Sequence, residues 1–153
     1  MSTGADDPTP ASDMTIEITY DKPLPEVDDH SRPFFDATLR GELLLQHCGA
    51  CGHWMWPVRE RCTDCFSADV RWEAASGRGT VYTFTIIHQL FHPGFAKELP
   101  YNVSHIELDE GVRMISNVVG VANEDMRIGA RVQVEFEPVS AEMALPKFRP
   151  VTG

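Results

Sequence analysis

Four cysteines in two CxxC pairs, Cys48-Gly-Ala-Cys51 and Cys62-Thr-Asp-Cys65, set the tightest limit on how this chain can fold. Each pair forms a knuckle that turns two sulfurs to one side, and ten intervening residues let the second knuckle face the first. Four thiolates then sit at the corners of a tetrahedron, with Gly49 and Gly52 relaxing the turns. Backbone N–H groups in such turns can point at the sulfurs and stabilise their charge. Zinc suits a closed thiolate tetrahedron, and iron fits the same ligands less favourably. Disulfides, a dithiol redox pair and buried free thiols are the other readings. The N-terminus MSTGADDPTPASD has no basic region followed by an apolar stretch. No export signal is therefore expected; a cytoplasmic, reducing location disfavours disulfides. A redox CxxC belongs beside a βαβ unit, and no such pattern is present. The expectation is one structural Zn²⁺ per chain on Cys48, Cys51, Cys62 and Cys65, with no coordination position left for substrate. His47 and His53 flank the knuckles as surface residues, while Trp54, Trp56, Phe66 and Trp72 are expected to cover a ribbon too small for its own core.

The rest of the 153 residues arranges itself around this ribbon. Residues 1–29 hold Pro8, Pro10, Pro23 and Pro25 and few large apolar side chains. This stretch is expected to be a disordered acidic tail, because it offers too little burial to offset ordering entropy. Within it, Thr15–Tyr20 alternates with period two, so a strand is the other reading. Residues 30–46 read as a helix and a lead-in strand. Ser31 is placed to cap the helix, Pro33 lies in its first turn, and Gly41 marks its end. Residues 47–73 are the ribbon. From residue 74 to 153 the chain is strand-rich: Thr80–His88, Val103–Leu108, Arg113–Val121 and Arg131–Glu137 carry β-branched or alternating patterns. The fold class is mainly β: a short helix, a rubredoxin-like ribbon, then a five-stranded OB-fold barrel.

Charge narrows the partners. The net charge is −10; residues 1–30 carry eight acids and one base, −7, leaving −3 for the rest. Residues 74–153 hold seven bases and nine acids. A single-stranded nucleic-acid binder, the alternative use of an OB face, needs a basic groove, so no nucleic-acid partner is expected. No stretch reaches the roughly 18 consecutive apolar residues of a membrane span, so no membrane partner is expected either.

Catalytic motifs are missing. The metal occupies every thiol, and no nucleophile elbow or Walker loop is present. Ser76-Gly77-Arg78-Gly79-Thr80 opens a strand and reads as a turn rather than a phosphate loop. His88, His92, His105, Glu107 and Asp109 could act as acids or bases, but no spacing pairs them. The segment His88–Asn102 has no regular period and is long for a connection in a compact domain. Its Leu90, Phe91, Phe95 and Tyr101 either fold back on the barrel or contact a partner or an acyl ligand; both readings stand.

Taken in order, GELLLQHCGACG, CTDC, SGRGTVYTFTIIH, LPYNVSHIELDEG, ISNVVG, IGARVQVEFE and LPKFRP make a recognisable series. From Ser31 to its end, the chain resembles the small zinc-ribbon/OB-fold proteins known as domain of unknown function 35. All four family cysteines are present, whereas some members have lost theirs. The resemblance implies a non-catalytic subunit in a hetero-oligomer with a thiolase-superfamily enzyme. The settings it implies are thiolysis or condensation of acyl-CoA esters, or retro-aldol cleavage of steroid side-chain CoA esters in an aldolase complex of lipid metabolism. The OB part would help hold acyl-CoA at a shared site. A stand-alone acyl-CoA carrier or hydrolase is a further reading, made weak by the missing nucleophile.

Overall fold

A computed structural model describes residues 20–151. The described residues open with a segment, 20–27, that forms no helix or strand, and then enter helix α1 (Arg32–Leu39). Strands β1 (Leu44–Cys48), β2 (Trp54–Met55) and β3 (Val70–Ala74) form an antiparallel sheet in the order β2-β1-β3. The lead-in strand is thus the central strand of the ribbon. Strands β4 (Arg78–Ile87), β5 (Tyr101–Leu108), β6 (Arg113–Ser116), β7 (Arg131–Pro138) and β8 (Ala144–Pro150) form the second sheet, ordered β6-β5-β4-β7-β8. That sheet curls into the partly open, five-stranded barrel of an OB-fold.

Helix α1 forms because Phe34, Phe35, Ala37 and Thr38 fall on one buried face. Its entry differs from the sequence expectation, because the Ser31 side chain does not cap the helix. Instead Ser31 donates its N–H and its hydroxyl to the Asp28 carboxylate, each at 2.8 Å, and its hydroxyl accepts the Asp28 N–H at 3.1 Å. The reciprocal bonding lies one turn earlier than expected, and it holds the Asp28 carboxyl below its ordinary pKa. Gly41, at φ +74°, ends the helix as its position predicts.

Strand β5 shows why the barrel folds. Asn102, Ser104, Ile106 and Leu108 point inward while Tyr101, Val103, His105 and Glu107 point outward, the strict alternation of a strand with one buried face. Gly79 passes so close to this strand that a Cβ would lie 2.7 Å from the Glu107 carbonyl oxygen. A bulge at Tyr82 bends β4. Strand β8 carries no clear strand signal in its sequence, because Pro146 and Pro150 mask its alternation; as an edge strand it tolerates both.

Between β6 and β8 the barrel closes over a short distance only. Phe148 donates its N–H to the Asn117 carbonyl at 3.0 Å, and Val119 donates to the Phe148 carbonyl at 2.7 Å. Two residues earlier in β8 stands Pro146, which has no N–H to continue this parallel ladder. Its carbonyl takes the Ser116 hydroxyl instead, at 2.7 Å. The seam opens from that point. Arg113–Ser116 is the only ladder-paired part of the expected strand Arg113–Val121, because the chain there leaves β5 to reach Phe148.

A main core runs through the molecule, beside a small second cluster of Cys48, Met55 and Cys62 in the ribbon. Phe34, Phe35, Leu43 and Leu45 pack with Val81, Ile106, Leu108, Val132 and Phe148, so helix, ribbon root and barrel share buried surface. Residues 20–29 do not behave as the free tail expected of them. Tyr20 and Val27 pack against the core, and Lys22 pairs with Glu98 at 2.8 Å. Few apolar residues suffice here because the barrel supplies the other side of each contact. Thr15–Thr19, most of the possible strand in the tail, lies outside the described residues.

Candidate metal centre and ligand cavities

The two knuckles are geometric copies. In the first, Ala50 and Cys51 point their N–H groups at Cys48 Sγ, each 3.4 Å away; in the second, Asp64 and Cys65 point theirs at Cys62 Sγ, 3.3 and 3.4 Å away. Gly52 donates to the Cys48 carbonyl and Phe66 to the Cys62 carbonyl, at 2.9 and 3.0 Å. The residue closing each turn is left-handed: Gly52 at φ +80° and Phe66 at φ +63°.

The four sulfurs lie within 4.8 Å of one another, with Cys48–Cys65 and Cys51–Cys62 each at 3.6 Å. A tetrahedron with metal–sulfur bonds of about 2.3 Å has sulfur–sulfur edges of about 3.8 Å, so the donor set fits a metal ion. The amides of Cys51 and Ala50 pull the Cys48 thiol down to about 6. At Cys51 the His53 amide works in the same direction, but desolvation and the neighbouring sulfurs outweigh it and push the thiol up to about 12. Four sulfurs this close cannot all ionise without a cation among them.

Around the centre, His47 is not a ligand: its Nδ1 sits 2.6 Å from Glu73, and its ring lies against Trp54 with centroids 4.6 Å apart. Trp54, Trp56 and Trp72 cover the ribbon by packing onto the common core, Trp56 against Phe34 at 4.4 Å. Phe66 does not cover it. Its ring is 73% exposed, because the left-handed turn swings the side chain away from the core.

The expected contact residues divide into two groups. Leu90 and Phe91 face solvent, Phe91 at 70% exposure. Phe95 and Tyr101 are half-buried and stack on each other, with centroids 5.2 Å apart. His92 Nδ1 accepts the Gly94 N–H at 3.0 Å and holds the turn that delivers Phe95. Glu107 and Asp109 are tied to Arg113 and Arg131 at 3.0 and 2.8 Å, and the structure does not bring them to a histidine.

Two cavities adjoin this stack. One, about 490 Å³, fills the open seam between β6 and β8 under Phe34, Phe35 and Trp56; the other, about 280 Å³, lies beside Lys22, Glu98 and Glu137. Three residues that the sequence reading did not single out organise the region. Buried Asn102 accepts from Ser104 Oγ and the Val118 N–H, both at 2.8 Å, and donates to the Val118 carbonyl at 2.7 Å. Asn117 donates to the Asn102 carbonyl and accepts from the Lys147 ammonium. Burial pushes the Lys147 pKa down.

Comparison with known proteins accounts for both halves. Residues 35–71 match the rubredoxin-like zinc ribbon domain of ChsH2, and residues 72–137 match its C-terminal OB-fold domain. A DUF35 domain-containing scaffold protein of Methanocaldococcus jannaschii is 33% identical over 101 residues, covering 65% of this chain and 71% of the relative. A probable enoyl-CoA hydratase alpha subunit of Thermomonospora curvata is 35% identical over 129 residues, 84% of this chain. The chain spans only 40% of that relative's length. Among solved structures, the Ltp2-ChsH2(DUF35) aldolase aligns with a TM-score of 0.76 and 34% identity, covering 84% of this chain and 100% of that one. A DUF35 protein of Sulfolobus solfataricus, at 15% identity and a TM-score of 0.56, shares the fold. Cysteine spacing, ribbon, barrel and matches agree: the chain belongs to the DUF35 family of ChsH2-type zinc-ribbon/OB-fold proteins.

Proposed function

We propose that this chain is a non-catalytic subunit of an enzyme that acts on CoA thioesters. Its partner is a thiolase-superfamily subunit, and the chain contributes part of the acyl-CoA site. The observation that carries this reading is the match to the full DUF35 chain of the Ltp2-ChsH2 aldolase, at 34% identity. The names of two relatives, both hydratase alpha subunits, point to the same substrate class. Zinc is the ion assigned to Cys48, Cys51, Cys62 and Cys65; bound there, it ties the two knuckles together and leaves no open coordination position. Leu90 and Phe91 suit a partner contact, since large exposed apolar side chains gain by leaving water.

The test is reconstitution with a thiolase-superfamily enzyme from the same host. The two proteins should co-elute and cleave or condense acyl-CoA only together, and Phe91→Ala should weaken the complex without unfolding this chain. Thioester turnover by the purified single chain would sink the reading. So would tight, salt-sensitive binding of single-stranded nucleic acid, which the barrel's seven bases and nine acids argue against.

A further inference from the structure

The seam opened by Pro146 is apolar, and the cavity beside it is polar. Phe34, Phe35, Trp56, Val103, Met114 and Leu145 line the first; Lys22, Glu98, Asn102, Asn123 and Glu137 line the second. They share a wall of four residues, Phe95, Tyr101, Asn117 and Lys147. A molecule lying across that wall must be apolar at one end and carry hydrogen-bond acceptors at the other. The volume of the apolar part falls within the range of roughly 300–1,000 Å³ typical of small-molecule sites.

Lys147 gives the wall its chemistry. Its side chain is 14% exposed, and its ammonium stands 3.9 Å from Glu137. The ammonium has three donors, of which Asn117 takes one. Asn117 is itself fixed by its bond to the Asn102 carbonyl, so the ammonium is held in one place at the end of the apolar seam. A cation so placed complements a carbonyl or carboxylate oxygen attached to an apolar group. In the polar cavity Lys22 pairs with Glu98 at 2.8 Å and Glu137 faces Lys147, so its lining carries as many acids as bases and does not draw an anion inward.

We propose that the seam cavity seats the acyl group of a CoA thioester, with Lys147 donating to its carbonyl oxygen and Asn117 orienting Lys147. The proposal rests on the reading of the chain as a subunit of a CoA-thioester enzyme, and it adds where the acyl end goes. The CoA part remains outside the seam. Phe95 and Tyr101 form the divide between the two ends, which gives these two of the four expected contact residues a specific place.

The isolated full chain tests this with decanoyl-CoA, free CoA and ω-bromodecanoyl-CoA. Decanoyl-CoA should bind at least about tenfold more tightly than CoA, since each methylene buried in a dry cavity contributes. The brominated chain should quench tryptophan fluorescence, and Trp56→Phe should remove that quenching at saturating ligand, with the affinity of the variant measured separately by calorimetry. Lys147→Met, with its thermal midpoint checked, should weaken decanoyl-CoA binding several-fold and leave CoA binding unchanged. Equal affinity for CoA and decanoyl-CoA would overturn the proposal, as would quenching that survives in Trp56→Phe. Either result leaves the accessory-subunit reading standing, because that is read separately, from co-elution with the partner.

Discussion

Among single residues, Phe66 combines two unfavourable features, a left-handed backbone and an exposed ring. A non-glycine residue there costs about 1–2 kcal/mol, which the equivalent Gly52 avoids. Phe66→Gly is therefore expected to raise stability by about 1 kcal/mol, less the entropy that glycine adds to the unfolded chain. A denaturant titration that shows the variant destabilised would mean that the ring makes contacts worth more than the strain. Asn102 works in the opposite sense. Asn102→Leu is expected to lose about 1–3 kcal/mol, because it strands the Val118 N–H and carbonyl inside the barrel. The cysteines were legible from spacing alone, since metal geometry dictates sequence directly. Asn102 left a weaker trace: the period-two pattern of Tyr101–Leu108 puts a polar side chain on the face of Ile106 and Leu108. Lys147 left none, as one lysine in a sequence does not reveal its burial.

At the level of elements, α1 is joined to β8 through Thr38. Its hydroxyl donates to the Phe35 carbonyl and accepts the Ala144 N–H, the latter at 3.0 Å. Thr38→Val keeps the shape but orphans that amide, and a loss of about 1–3 kcal/mol is expected by chemical denaturation. The segment before α1 carries a different prediction. Truncation to start at His30 removes the Tyr20 and Val27 packing and the Lys22–Glu98 pair, so the thermal midpoint should fall by several degrees. An unchanged midpoint would show that these contacts contribute nothing net. The helix was legible because its apolar spacing, Pro33 and Gly41 are local signals. Its true entry at Asp28 was not, because Ser31 offers the commoner cap. Strand β8 was hidden by its prolines, and the segment from Tyr20 was hidden because its partners lie far away in sequence.

For the molecule as a whole, metal and fold are linked. Elemental analysis should find about one zinc per chain, and Cys62→Ser should abolish it and lower the thermal midpoint, since binding energy at such a site is folding energy. Unchanged melting of a metal-free chain would contradict this. The ion pairs add a modest pH dependence. Arg131 and Arg149 hold Asp109 and Glu135 below their ordinary pKa values, so both pairs contribute above about pH 4–4.5. That contribution is lost as pH falls through the depressed folded-state values. Exposure keeps it small, and a urea titration series from pH 7 down to pH 3 should show a gentle slope.

The shared core has a practical consequence for anyone who would divide the chain. The two family matches meet between residues 71 and 72, inside β3, where Arg71 and Trp72 stand in register with His47 and Gln46 of β1. That border is a convenience of alignment. A ribbon excised there would carry Phe35, Leu43 and Leu45 into water, and the barrel left behind would lose the wall those side chains form. Neither fragment should express as a well-behaved protein, and a chimera with a foreign ribbon would need Phe34, Phe35, Leu43 and Leu45 transplanted with the cysteines. Engineering of this chain must treat ribbon and barrel as one unit.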